Sequence, residues 1–284
     1  MDIAVLGMGR MGQAVAQRLL GGGHPVVVWN RSKGKADDVL AAGAEEAGSV
    51  AEAVEGAEVV ITSLSDDDAV RQVALGEGGI RSAIGPEAVY ADASTVSPFL
   101  AEALAAEFDR FVAMPILGAP AAVEAGEATY LIGGDPAMAN RLKPVMDALS
   151  QRVQRYDTPR KAVGGKLANN LMLLAEVAAL AEAVAVGRAG GLTDDELRRL
   201  LGDSPMLPPG IKNRFEGVLT GRQEPWWTTA LGAKDAGLAV DAAAAAGIAL
   251  PLGETARELY RDAAVTGDND DDIVAIARRY HPAG

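Results

Sequence analysis

The chain has 284 residues, 49% of them hydrophobic and 23% charged, with a formal net charge of −13 and no cysteine. That length suits two domains of ordinary size, and the balance of apolar and charged residues excludes a disordered or fibrous chain. The acidity disfavours nucleic acid and anionic membrane as partners, while the lack of cysteine excludes disulfides, thiolate zinc sites and a cysteine nucleophile.

Residues 2–6 form a short apolar run of strand formers that enters Gly7-Met8-Gly9-Arg10-Met11-Gly12, followed by a helical pattern over 13–20. A glycine-rich turn over 21–25 then leads to a second strand at 26–29, completing a βαβ unit whose two strands must run parallel. The N-terminus lacks the basic flank and apolar core of a signal peptide, so a cytoplasmic protein is expected. Ser49 and Glu52 have the spacing of a capping box. The alternation continues with a strand at 59–61, a helix at 67–75 and a strand at 88–91. Ser97 before Pro98 supplies an N-cap and a first-turn proline for a helix over 99–107. Strands at 110–114 and 128–132, a helix at 136–149 and a short strand near Val153 complete the series. Alternating strands and helices predict an α/β fold, an N-terminal Rossmann-type doubly wound parallel sheet over residues 1–160.

From Ala162 the period becomes helical, with Leu167, Leu171, Leu174 and Ala178 on one stripe. The run 167–187 has the length of a membrane span, but Asn169, Asn170, Glu176 and Glu182 would each be costly in lipid, and a buried helix is expected instead. Thr193 and Glu196 form a second capping box before a helix at 197–201. Three prolines between 204 and 210 mark a loop, and further helices are expected at 211–219, 228–246, 254–265 and 271–280. Residues 161–284 thus read as an all-α domain, linked to the first by a long interdomain helix. Amphipathic helices need partners for their apolar faces, which makes a homodimer through this domain an expectation.

The glycine motif has a physical role in its context. Gly7 permits a tight turn, Gly9 lets backbone approach a pyrophosphate, Gly12 allows close helix–sheet packing, and the helix N-terminus, with Met8, Arg10 and Met11 between the glycines, attracts the phosphates. An NAD site would place an acid about 20 residues further on. Here the second strand ends in Trp29-Asn30-Arg31-Ser32-Lys33 without one. Arg31 can pair with a 2′-phosphate while Asn30 and Ser32 donate hydrogen bonds, so the expected cofactor is NADP(H).

Leu64-Ser65-Asp66 and Asp92-Ala93-Ser94-Thr95 follow strands at the carboxyl edge, where such sheets bind ligands. Leu64 and Ser65 can offer backbone to the cofactor; Ser94 and Thr95 can serve nicotinamide or substrate, or merely cap the next helix. Lys166 and Asn170 lie four apart on one helix face at the junction of the two halves, a position for chemistry, although a first-turn lysine is also an ordinary solvated residue. No metal site is expected, and His24 and His281 receive no catalytic role.

Taken together, these segments resemble the β-hydroxyacid dehydrogenases, which include 3-hydroxyisobutyrate dehydrogenases and glyoxylate or succinic semialdehyde reductases. The resemblance runs through nearly the whole chain. It is carried by the glycine motif, Asn30-Arg31-Ser32, the segment from Asp92 to Pro98, Gly165-Lys166-Leu167-Ala168-Asn169-Asn170, and Lys234-Asp235 followed by Gly237-Leu238-Ala239. It implies that Lys166 is the general acid or base, that Asn170 orients substrate, that Lys234 lies near cofactor and substrate, and that Ser94 and Thr95 line the nicotinamide side. Where the family has Asp-Ala-Pro-Val-Ser-Gly-Gly, this chain has Ala113-Met114-Pro115-Ile116-Leu117-Gly118-Ala119. Leucine cannot donate the hydrogen bond by which the family's serine helps hold a substrate carboxylate. Leu117 and Gly118, with Trp226 and Trp227, which resemble the aromatic residues of the family's substrate lid, point to a larger or less polar substrate than a hydroxy acid. The tryptophans fit equally well as helix-packing anchors. The resulting expectation is a hydride transfer between NADP(H) and a small carbonyl or hydroxy compound: an aldehyde acid, a ketone or a β-hydroxy acid. An NADPH-dependent imine reductase is the alternative enzyme; relatives of that kind commonly carry Asp or Tyr in place of the lysine. A non-catalytic dinucleotide-binding protein is the alternative of another class. A 6-phosphogluconate dehydrogenase is disfavoured by the shorter chain and the missing His-Asn pairing after the lysine.

Overall fold

The β-branched runs of the N-terminal half pair into one sheet because their side chains are apolar on both faces, the pattern of strands covered by helices on either side. The computed structural model describes residues 1–280, and the chain divides into two units, Met1–Lys166 and Leu167–Gly284. In the first unit the strands are β1 (Ile3–Leu6), β2 (Val26–Trp29), β3 (Glu45–Glu46), β4 (Val59–Thr62), β5 (Val89–Asp92), β6 (Phe111–Ala113), β7 (Ile116–Leu117), β8 (Thr129–Gly134) and β9 (Val153–Tyr156). Their order is β3-β2-β1-β4-β5-β6-β8-β7, with β9 also on β8.

From β3 through β6 all pairs are parallel, in the register Ile3↔Val26, Ile3↔Val59 and Val59↔Val89. The far edge departs from the wholly parallel sheet expected: β6 and β7 both pair antiparallel with β8, and only β9 returns to parallel. A parallel return needs a crossover of a dozen residues or more, usually a helix. The connection from β6 to β8 is long enough for one, but it holds β7, which itself pairs antiparallel with β8, and only the short helix Pro120–Glu124. Ile3, Val5, Val28, Val59, Ile61, Val89 and Ala91 lie at the centre of the core with Val15 and Leu19 of α1 (Arg10–Gly21).

Two local expectations are corrected. The helix expected over 136–149 is two, Pro136–Arg141 and Lys143–Leu149; Pro144 has no N–H to continue the first and is tolerated in the first turn of the second. At Ser49 only half the capping box forms: its hydroxyl accepts from Glu52 N, but the Glu52 carboxylate reaches Gly48 N at 2.7 Å.

The second unit is helical. It begins within the helix Pro159–Ala189, 31 residues long, or about 46 Å at 1.5 Å per residue. By length and composition this helix is able to cross a membrane, yet Leu174, Val177, Leu180, Ala181 and Val184 lie in the core of the second unit. Thr193 and Glu196 close both halves of their capping box at the head of Asp194–Gly202. The helix expected over 211–219 is Pro209–Lys212 followed by Phe215–Thr220, so the proline loop ends earlier than expected. Thr229–Ala244 packs on Pro251–Ala263. Residues 273–280 form a 3₁₀ helix rather than the α-helix expected. Asp272 sets this tighter turn, its carbonyl accepting from Ala275 N at 2.8 Å and its carboxylate from Val274 N at 3.2 Å.

Candidate active site

Strand β1 delivers the glycine motif to the carboxyl edge of the sheet. Gly7 has φ +102°, and a Cβ there would lie 2.3 Å from the Ser63 carbonyl oxygen; at Gly12 a Cβ would lie 1.8 Å from that of Gly7. Backbone packing alone therefore demands glycine at both. Gly9 is different: its φ is −71° and an added Cβ would meet nothing within 4 Å. The open ground over Gly9 sits at the N-cap of α1, which has neither a capping side chain nor an acidic residue in its first turn. Its leading N–H groups, those of Arg10 and Met11 among them, lack intrahelical partners and favour an anion. The donors and the cradle fit a dinucleotide pyrophosphate. Met8 is buried, and its N–H is taken by the Asn30 side-chain oxygen at 3.0 Å.

Asn30 thus ties the glycine turn to the end of β2, and its amide also donates to the Ser32 carbonyl at 2.8 Å. Arg31, Ser32 and Lys33 are exposed beyond it. This edge presents cations and a hydroxyl, the chemistry that receives a 2′-phosphate.

A buried polar chain lies under the loops that follow β4 and β5. The Asp92 carboxylate accepts from the Thr62 hydroxyl at 2.7 Å and from Ser94 N at 3.1 Å, and Tyr90 OH lies 3.1 Å from the Thr62 hydroxyl. The Ser94 hydroxyl bonds to Asp92 as well and accepts Leu64 N–H at 2.9 Å. Burial pushes the Asp92 carboxyl up to about 6, against the opposing pull of the Ser94 and Thr62 hydrogen bonds. Ser94 is only 3% exposed, so its hydroxyl is committed to the Leu64 loop. Thr95 is half-buried beside it, and Ser65 is exposed. A second stitch joins the same loops, where Ser97 N and Oγ donate to Asp67 at 2.8 and 2.5 Å. Asp92 was not singled out from the sequence; its signal was an acid ending an apolar strand.

Lys166 sits in the long helix in the first unit, and its ammonium donates to the Ile116 carbonyl at 2.6 Å. That carbonyl belongs to β7, next to half-buried Leu117 and exposed Gly118, the latter with φ +141°. In the second unit Asn170 is 4% exposed and donates to Asp235 at 2.8 Å, and the other Asp235 oxygen lies 2.9 Å from Lys234 Nζ. Asp235 therefore fixes both Asn170 and Lys234. The sequence singled out the lysine and passed over its neighbour, because adjacency in a helix gives no hint of a partner 65 positions away.

Trp226 and Trp227 both donate their backbone N–H groups to Asp272, at 2.9 and 3.1 Å. The Trp226 ring is 38% exposed, with the Arg214 guanidinium 5.4 Å from its centroid, while Trp227 packs on the helical core. His24 lies beside the N-terminal amine at 3.4 Å, and His281 lies outside the described residues.

Residues 2–157 match the NAD binding domain of 6-phosphogluconate dehydrogenase, and residues 162–280 match the domain described as NAD-binding of NADP-dependent 3-hydroxyisobutyrate dehydrogenase. The chain is 31% identical to an NAD-dependent L-serine dehydrogenase of Pseudomonas aeruginosa, covering 99% of this chain and 98% of that one. A crystal structure of 3-hydroxyisobutyrate dehydrogenase from Salmonella typhimurium superposes with TM-score 0.86 at 27% identity, over 98% of this chain and 99% of that one. An imine reductase from Pseudomonas sp. shares the fold more distantly, with TM-score 0.63 at 21% identity over 99% of both chains. The two domain matches, the full-length likeness and the glycine cradle at the sheet edge agree: the chain belongs to the β-hydroxyacid dehydrogenase family and is a nicotinamide-dinucleotide-dependent oxidoreductase.

Proposed function

We propose that this oxidoreductase uses NADP(H), and reduces a small aldehyde or ketone with Lys166 as the proton carrier. The observation that carries the chemical part is the hydrogen bond from the Lys166 ammonium to the Ile116 carbonyl, which fixes the lysine's donor against the β7 segment Ile116-Leu117. The dinucleotide, when bound, supplies the hydride. Lys166 Nζ gives a proton to the carbonyl oxygen as it becomes an alcohol, and in the oxidative direction neutral Lys166 takes that proton back. Asn170, held by Asp235 and accepting from the Asn169 amide at 3.5 Å, orients the substrate through its remaining amide hydrogen. Lys234 adds positive charge beside it. Leu117, which cannot donate a hydrogen bond to a carboxylate, supports a substrate less polar than a hydroxy acid. Arg31 and Ser32 support the choice of NADPH: Arg31→Ala weakens NADPH by about tenfold or more while leaving NADH within about twofold. Equal loss for both would refute the phosphate role. The homodimer is proposed on exposed apolar side chains of the helical unit, Met172, Val186 and Leu252 at 59%, 72% and 66%.

The test follows absorbance at 340 nm with glyoxylate, succinic semialdehyde, a hydrophobic ketone and a cyclic imine in parallel. Carbonyl turnover that drops by about 10² to 10⁴ in Lys166→Ala supports the reading. Turnover of the imine alone makes the protein an imine reductase, and NADPH binding without any turnover makes it a binding protein.

A further inference from the structure

The adenosine and nicotinamide halves of a dinucleotide lie on opposite sides of the strand that carries the glycine turn. Arg31 and Ser32 sit at the end of β2, on one side of β1; β4 and β5 lie on the other. The nicotinamide half therefore extends over the loops after β4 and β5, which are Leu64-Ser65 and Ser94-Thr95. Beside the Ser97–Asp67 stitch, a chain of hydrogen bonds ties these loops together from below: Leu64 N–H to the Ser94 hydroxyl, and Ser94 to Asp92.

Resting on the cofactor reading above, we infer that Asp92 is a positioning residue for the nicotinamide half of the cofactor, acting through Ser94 and the Leu64 backbone. Only an acceptor-only group suits the place. Asp92 takes the Thr62 hydroxyl, Ser94 N–H and the Ser94 hydroxyl together, which leaves the Ser94 oxygen lone pairs for Leu64. An amide of the same shape would turn a donor toward Ser94 and compete with Leu64 N–H for the same oxygen. Asp92 is 2% exposed, faces no basic group among these contacts and feels Asp67 as a like charge. A buried carboxylate so placed is a poor way to stabilise a sheet, but it holds two ligand-bearing loops at one spacing.

The test is the dissociation constant of the whole protein for NADPH, NADH and adenosine 2′,5′-bisphosphate, measured by calorimetry on wild type, Ser94→Ala, Asp92→Asn and the double variant. We expect Ser94→Ala to weaken NADPH by about tenfold, since it leaves Leu64 N–H without its partner. Asp92→Asn is expected to weaken NADPH by about fivefold, and the double variant to match Ser94→Ala within about twofold, because the two act in series. The bisphosphate, which has only the adenosine half, is expected to bind all four proteins alike. Unchanged NADPH affinity in Ser94→Ala, additive losses, or equal loss for the bisphosphate would overturn the inference. A wild type that binds neither NADPH nor NADH would overturn the cofactor reading and the inference together.

Discussion

Three glycines in one motif have three different reasons to be glycine. Gly7 and Gly12 are required by the protein's own backbone, at φ +102° and by a 1.8 Å approach to a carbonyl oxygen, whereas a Cβ at Gly9 would meet nothing within 4 Å. Gly12→Ala is therefore expected to cost about 3 kcal/mol or more in urea unfolding, the cost of forcing helix and strand apart. Gly9→Ala, at an allowed backbone conformation, stays within about 1 kcal/mol of wild type and loses NADPH affinity by about tenfold or more, read by titration. A Gly9→Ala variant with wild-type affinity would remove the pyrophosphate from that cradle. Asp92 makes the opposite kind of compromise. Its folded-state value of about 6, raised by burial from an ordinary 3.8, means the folded protein holds the proton to higher pH than the unfolded chain. Its contribution is neutral below pH 4, turns unfavourable as pH rises from 4 to 6, and stays so above. The total is about 3 kcal/mol. Asp92→Asn should thus gain stability relative to wild type as pH is raised from 4 to 7, measured by urea unfolding at each pH, while losing affinity for the nicotinamide half. A stability difference that does not change with pH would place the ionisation elsewhere.

At the scale of elements, capping chemistry was readable where both partners were local. Thr193 and Glu196 close a complete box because each needs only the other's backbone N–H three residues away. Thr193→Ala is expected to lower stability by about 1 kcal/mol, seen as a fall in the urea midpoint at unchanged slope; no change would mean that this helix is held by packing alone. Ser49 and Glu52 have the same spacing, yet Glu52 reaches past Ser49 to Gly48. The strands β3 and β7 escaped detection for a related reason. Glu45–Glu46 is exposed and Ile116–Leu117 has two residues, so neither has a period to read, and each exists because a neighbouring strand offers its edge. The long helix was visible throughout as a change of period at Ala162, but its first turn begins at Pro159, where proline is well suited to a helix start.

For the molecule as a whole, the exposed apolar residues of the helical unit argue for a second copy as partner. Met172 and Val186 belong to a helix that carries Leu174, Val177, Leu180 and Val184 into the core. Light scattering behind a sizing column is expected to give twice 29.2 kDa, and glutamate at both positions is expected to shift the mass toward one chain. A wild-type mass of one chain would end the dimer proposal. By itself the sequence determined what depends on local pattern and composition: the βαβ start, the glycine turn, the basic end of β2, the switch from alternating to helical architecture, and the lysine and asparagine four apart. Each of these is written in residues close together along the chain. The tertiary structure alone decided the antiparallel edge at β8, the hold of Ile116 on Lys166, of Asp235 on Asn170 and of Ser94 on Leu64, because hydrogen bonds between residues 30 to 65 positions apart depend on which elements become neighbours, and a linear pattern carries no record of that.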